Sequence, residues 1–192
     1  MNNKDFNMQK KFFVNALTLS RISISIMFNI ALFYGKYRLL ICSILFLIIA
    51  LTDFFDGKLA RYYNVESKMG AILDIGADFF FVFTASCFLY EQNLLPLGII
   101  AIIVIKFAEF CFTSYLLNKE RNDYNVVFFD GIGRFVAIVL YIIPLTVIIL
   151  QSLVHKILLD NVLFSLCIAI GLLSLFSFCM RILKIIQYKI EI

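Results

Sequence analysis

Asp53-Phe-Phe-Asp56-Gly57-Lys-Leu-Ala60-Arg61, then eight residues, then Gly70-Ala-Ile-Leu-Asp74-Ile-Gly-Ala-Asp78: four acids stand at the facing ends of two long apolar runs. Asp53 and Asp56 are three residues apart, while Gly70, Asp74 and Asp78 follow at intervals of four. Each spacing puts its side chains on one face of a helix. The connection between the two runs is short, so the helices are expected to be antiparallel neighbours. The four carboxylates can then converge on one point.

The rest of the chain is of the same kind. Of its 192 residues 62% are hydrophobic and 16% charged, with 22 Phe and a mean hydropathy of +0.96. A soluble domain carries charge on about a quarter of its residues. The composition therefore predicts an all-α, polytopic membrane protein. Charged and turn-like residues cut it into six transmembrane helices, at about 16–34, 38–57, 69–90, 95–117, 130–151 and 158–182. Each approaches the roughly 20 residues needed to cross hydrocarbon. Residues 1–15 form a cytoplasmic leader whose make-up suits an interfacial helix, and 16–192 read as one domain without repeats or linkers. The first apolar run follows Lys4, Lys10 and Lys11 as a signal peptide's would. It is too long for one and no small-x-small site follows, so it reads as a retained anchor.

Several chemistries are excluded. All five Cys lie in apolar stretches without a C-x-x-C pair, and His155 is the only histidine. A zinc site or a Ser/His/Asp triad is not expected. The net charge of +4 is spread without a long basic run, which suits anionic headgroups of the lipid bilayer and not nucleic acid. Eleven cations, from Lys4, Lys10 and Lys11 through Lys58, Arg61 and Lys68 to Arg181, Lys184 and Lys189, fall on one side. Three fall on the other. The positive-inside rule predicts both termini and the 58–68 loop in the cytoplasm, at the plasma membrane, with the acids facing soluble metabolites.

Four clustered carboxylates at a membrane boundary need counter-charge. One ionised group at the bilayer centre already costs about 2.5–3.5 kcal/mol. Arg61 offers one positive charge and divalent cations the rest. An oxygen-only donor set favours Mg²⁺ or Mn²⁺. Two ions about 3.5–4 Å apart would suit phosphoryl transfer. Gly57 and Ala60 either let a diphosphate approach the helix or serve close helix packing.

The stretch from Asp53 to Asp78 resembles the signature of the CDP-alcohol phosphatidyltransferase family, D-x-x-D-G-x-x-A-R-x(8)-G-x(3)-D-x(3)-D, at all eight fixed positions. The resemblance implies that 16–192 form that family's six-helix domain. It also implies a reaction: transfer of a phosphatidyl group from CDP-diacylglycerol to a small polar alcohol, with release of CMP. Asp53, Asp56 and Asp74 would hold the metals. Asp78 would complete the metal site and act as the general base on the acceptor hydroxyl. Asp56, Gly57, Ala60, Arg61 and Gly70 would line the CDP site, with Arg61 reaching a phosphate. A homodimer with Mg²⁺ or Mn²⁺ is implied as well.

The acceptor is less marked. Arg21, Lys106 and Arg134 lie inside spans and could bind an acceptor phosphate, such as that of glycerol 3-phosphate. Equally, Lys106 could pair with Glu109 and Arg134 with Asp130. The run Asn15-Ala-Leu-Thr18-Leu-Ser-Arg21 resembles the opening of glycerol-phosphate-type members, including phosphatidylglycerophosphate synthases. Phe13 and Val14 stand where those have Asn and Pro, and Phe79 where they have Lys. Inositol-type, serine and other alcohols stay open. Two other classes use membrane aspartates. An intramembrane prenyltransferase would have more spans and two separated motifs. A divalent-cation transporter would leave Gly57, Ala60 and Arg61 unexplained.

Overall fold

A computed structural model describes residues 3–35, 37–63, 68–121 and 131–190. The side chains of 3–15, 60, 68–69, 116–121, 184–185 and 187–190 lie outside that description. Six helices follow in order: α1 (Asn3–Ala31), α2 (Arg38–Tyr62), α3 (Lys68–Glu91), α4 (Leu97–Arg121), α5 (Gly131–Leu153) and α6 (Lys156–Ile190). No strand occurs among the described residues. The protein is an all-helical, polytopic membrane protein, as its composition predicts.

Among the described residues, five stretches are long and apolar enough to cross a membrane: Arg38–Leu59, Gly70–Glu91, Leu97–Tyr115, Gly131–Leu153 and Lys156–Leu183. The sixth, Ala16–Ala31, is shorter. It is the second half of one unbroken helix that also takes in most of the leader. No Gly or Pro lies between Asn3 and Ala31, so nothing in the sequence stops the helix at residue 15. The backbone leaves it at Leu32, shortly before Gly35.

The chain forms two compact units, Met1–Phe88 and Leu89–Ile192. In the first, α1 packs along α2. The buried residues described in α1 are Thr18, Arg21, Ser25, Phe28, Asn29 and Ala31, most of them three or four apart, as one helical stripe requires. Four of the six are polar, which is unusual for a face turned away from solvent. Phe28 meets Phe81 of α3 edge-on at 5.2 Å, and Phe46 of α2 approaches the same ring at 6.0 Å. Asn29 Nδ2 donates to Thr84 Oγ1 at 2.8 Å. These contacts fix α1 against both helices that carry the acids.

In the second unit, α4 and α5 each pack on α6. The buried stripe of α5, Gly133, Val136, Leu140, Ile143, Pro144, Val147 and Ile148, contains no charged residue. A Cβ built on Gly98 of α4 would lie 2.8 Å from Cys167 Sγ of α6, so these helices meet where one has no side chain. The turn after α3 places Asn93 at φ 55°, and Leu94 N–H reaches back to Leu89 O at 3.0 Å. That left-handed residue ends the helix.

Candidate active site

The acids of α2 and α3 do meet. One carboxylate oxygen from each of Asp53, Asp56 and Asp74 lies within 4.8 Å of the other two. Asp78 joins them through a residue from a third helix. Arg21 Nη1 donates to Asp78 Oδ1 at 2.7 Å and to Asp74 Oδ1 at 3.0 Å, and lies 3.1 Å from Asp53 Oδ1. Its Nη2 pairs with Asp56 Oδ2. Thr18 Oγ1, one turn earlier on α1, also donates to Asp56 Oδ2, at 3.2 Å. Arg21 is fully buried, whereas the side chains of Asp53, Asp74 and Asp78 remain 35–41% exposed. The centre is anchored from within and open on its acidic side. Three converging oxygen donors of this kind suit a hard divalent cation.

Of the small residues near the acids, Gly57 is not packed against a helix. A Cβ at Gly57 would meet nothing within 4 Å, so close helix packing does not account for that glycine. Arg61 is exposed, and its Nε donates to Gly57 O, one turn back, at 3.1 Å. Gly70 stands near the start of α3, one turn before Asp74. The side chain of Ala60 falls outside the described residues.

The other cations expected at the site belong to the second unit. Lys106 does form the local pair its spacing allows. Its Nζ donates to Glu109 Oε2 at 2.8 Å and also to Ser177 Oγ of α6 at 2.8 Å. Arg181 enters the same group, with Nη1 donating to Thr113 Oγ1 at 2.9 Å and Nε 3.8 Å from Glu109 Oε1. That carboxylate oxygen is buried without a hydrogen bond. Arg134 lies exposed in the first turn of α5; its expected partner Asp130 is outside the described residues.

Arg181 is the residue whose burial sequence reading missed. It was counted only among the loop and end cations, whereas it is 2% exposed within α6. Ser174, Ser177 and Arg181, all buried, recur at three and four residues. This polar stripe in an apolar helix is the signal that could have found it.

The family model for CDP-alcohol phosphatidyltransferase matches residues 12–183. The chain belongs to that family. The match takes in the aspartates, Arg21 and all six apolar stretches, and it decides for phosphatidyltransferases over the prenyltransferase and transporter readings. Among its relatives, a protein of Blochmanniella floridana is 32% identical over 62% of this chain and 65% of its own length. One of Sodalis glossinidius is 42% identical over 32% of this chain and 35% of its own. One of Cereibacter sphaeroides is 62% identical over 34 residues, 18% of this chain and 15% of its own. Each is named CDP-diacylglycerol--glycerol-3-phosphate 3-phosphatidyltransferase. The chain thus spans just under two thirds of the first relative and about a third of the second.

Proposed function

We propose that this protein transfers the phosphatidyl group of CDP-diacylglycerol to glycerol 3-phosphate and releases CMP. The observation that carries the reading is the convergence of Asp53, Asp56 and Asp74 beside the open flank of Gly57. Asp53, Asp56 and Asp74, with Asp78 completing the site, would hold Mg²⁺ or Mn²⁺, two ions in all. Bound there, the metal would bind the diphosphate oxygens and offset charge that develops on them. Gly57, Ala60, Arg61 and Gly70, with Asp56, form the CDP site, where Arg61 is exposed and within one turn of the glycine. Asp78 lies outside the trio but shares Arg21 with it. That position suits a general base taking the acceptor hydroxyl's proton while the oxygen attacks phosphorus. Catalysis is then mainly positioning and electrostatics.

Support for glycerol 3-phosphate comes from the relatives' names. Lys106, expected to bind the acceptor phosphate, also serves a local pair with Glu109. Arg134 is assigned to the same task. Arg21, first expected there, has its terminal nitrogens on the aspartates. The enzyme works as a homodimer in the plasma membrane, with termini and aspartates on the cytoplasmic side, where the loop cations concentrate.

The test is to supply purified protein with CDP-diacylglycerol and, separately, glycerol 3-phosphate, inositol phosphate, inositol and serine. Lipid products are then identified by mass. Metal-dependent CMP release with phosphatidylglycerophosphate as product is expected. Product only from another alcohol would reassign the acceptor; no CMP release with any of them would overturn the reading.

A further inference from the structure

The aspartates already hold a cation of the chain's own. Arg21 is fully buried and lies against all four carboxylates, two from α2 and two from α3. With all four ionised, one guanidinium leaves three negative charges. A planar fork holds several carboxylates in a fixed geometry, which the rotatable donors of an ammonium do not. Its Nε has no acceptor and is buried, so only the terminal nitrogens fasten it to the acids. Thr18 holds Asp56 from the same helix, and Asn29 locks that helix to α3 two turns further on. The helix that carries the guanidinium is thus held against both acid-bearing helices.

We propose that Arg21 is a positioning residue of the metal centre with two opposed effects. It keeps the carboxylates of α2 and α3 at ligating distance, and its fixed charge holds metal affinity below what four acids alone would give. Its consequence is reversible loading: divalent ions bind tightly enough to meet a diphosphate but do not become permanent. The inference rests on the four aspartates being the metal site.

The test reads metal binding directly, without turnover. Free Mn²⁺ is followed by electron paramagnetic resonance during titration of the full-length protein in detergent, and melting is followed with and without Mn²⁺. Arg21→Gln should bind Mn²⁺ about tenfold more tightly, a typical size for coupling between neighbouring sites. Without metal it should melt at a lower temperature than wild type, and Mn²⁺ should raise its melting point by more. A residue that mattered only for packing would weaken metal binding when lost. Unchanged or weaker Mn²⁺ affinity in Arg21→Gln thus overturns the proposal. Should that variant not fold without metal, Arg21→Lys decides. It keeps the charge and loses the fork, so affinity should stay near wild type while the metal-free melting point falls. Tightening in the lysine variant, or an unshifted melting point, overturns the idea. Failure of wild type itself to bind Mn²⁺ would sink the metal-site reading together with this one.

Discussion

Each compact unit of this protein hides one charged cluster, and the two are opposites. The first sets four carboxylates around one guanidinium and leaves Asp53 and Asp74 41% exposed. The second sets Lys106 and Arg181 around Glu109, whose side chain is only 6% exposed. The acidic cluster is open and the cluster of two cations about Glu109 is closed. An open acidic centre can take cations and a bulky diphosphate as they come. A closed basic one must select what enters, because an unpaired charge there has no water to relieve it. The same two helix-spacing rules build both, so the difference lies in which residue types fill the stripes.

The largest expected effect breaks the acidic side of the comparison. Asp78→Asn keeps the shape and removes the proton acceptor, so turnover should fall by about 10²–10⁴-fold. Metal-dependent binding of CDP should largely survive, because Asp53, Asp56 and Asp74 remain together. Near-normal CMP release by the variant would remove Asp78 from the base role. Chelation with EDTA should instead abolish both turnover and CDP binding, and both should return with Mg²⁺ or Mn²⁺.

The basic side can be broken in two ways that separate folding from function. Glu109→Leu takes the shared carboxylate from both Lys106 and Arg181 and should destabilise by about 3 kcal/mol, as breaking a buried pair on one side does. Lys106→Met leaves Glu109 with Arg181 and should keep more of the melting temperature. If the cluster serves the acceptor, KM for glycerol 3-phosphate should still rise at least about tenfold in the methionine variant, the loss of a charged hydrogen bond. KM for CDP-diacylglycerol should hardly change. An acceptor KM equal to wild type would leave the cluster a structural ion pair.

What could be read in advance follows from distance along the chain. Apolar length gave the helices, and intervals of three and four gave the aspartate faces. Their convergence needed only a short connection. The pairing of Arg21 with Asp74 and Asp78, more than fifty residues away, has no local pattern, so an intramembrane arginine was assigned to a ligand when its terminal nitrogens meet the acids. The burial of Arg181 was not legible for a related reason: its contacts with Thr113 and Glu109 of α4 are as remote along the chain. The local pair Lys106–Glu109 was legible because it lies within one turn. Its partners Ser177 and Arg181, about seventy residues on, were not.

The smallest effects come from two glycines, one in each unit, that look alike in sequence. Gly98 is filled from outside: the position of its missing Cβ lies 2.8 Å from Cys167 Sγ. Gly98→Ala should destabilise by about 1–3 kcal/mol through overpacking, and Cys167→Ala in the same protein should relieve it. Gly57 is empty, with nothing within 4 Å of its Cβ position. Gly57→Ala should leave melting unchanged or raise stability by up to about 1 kcal/mol through helix propensity. Only a ligand would notice that methyl group, so KM for CDP-diacylglycerol should climb severalfold while the acceptor's stays put. A variant with unchanged KM for both substrates would show that the open flank of α2 is not where the nucleotide lies, and the CDP site would have to be sought away from Gly57.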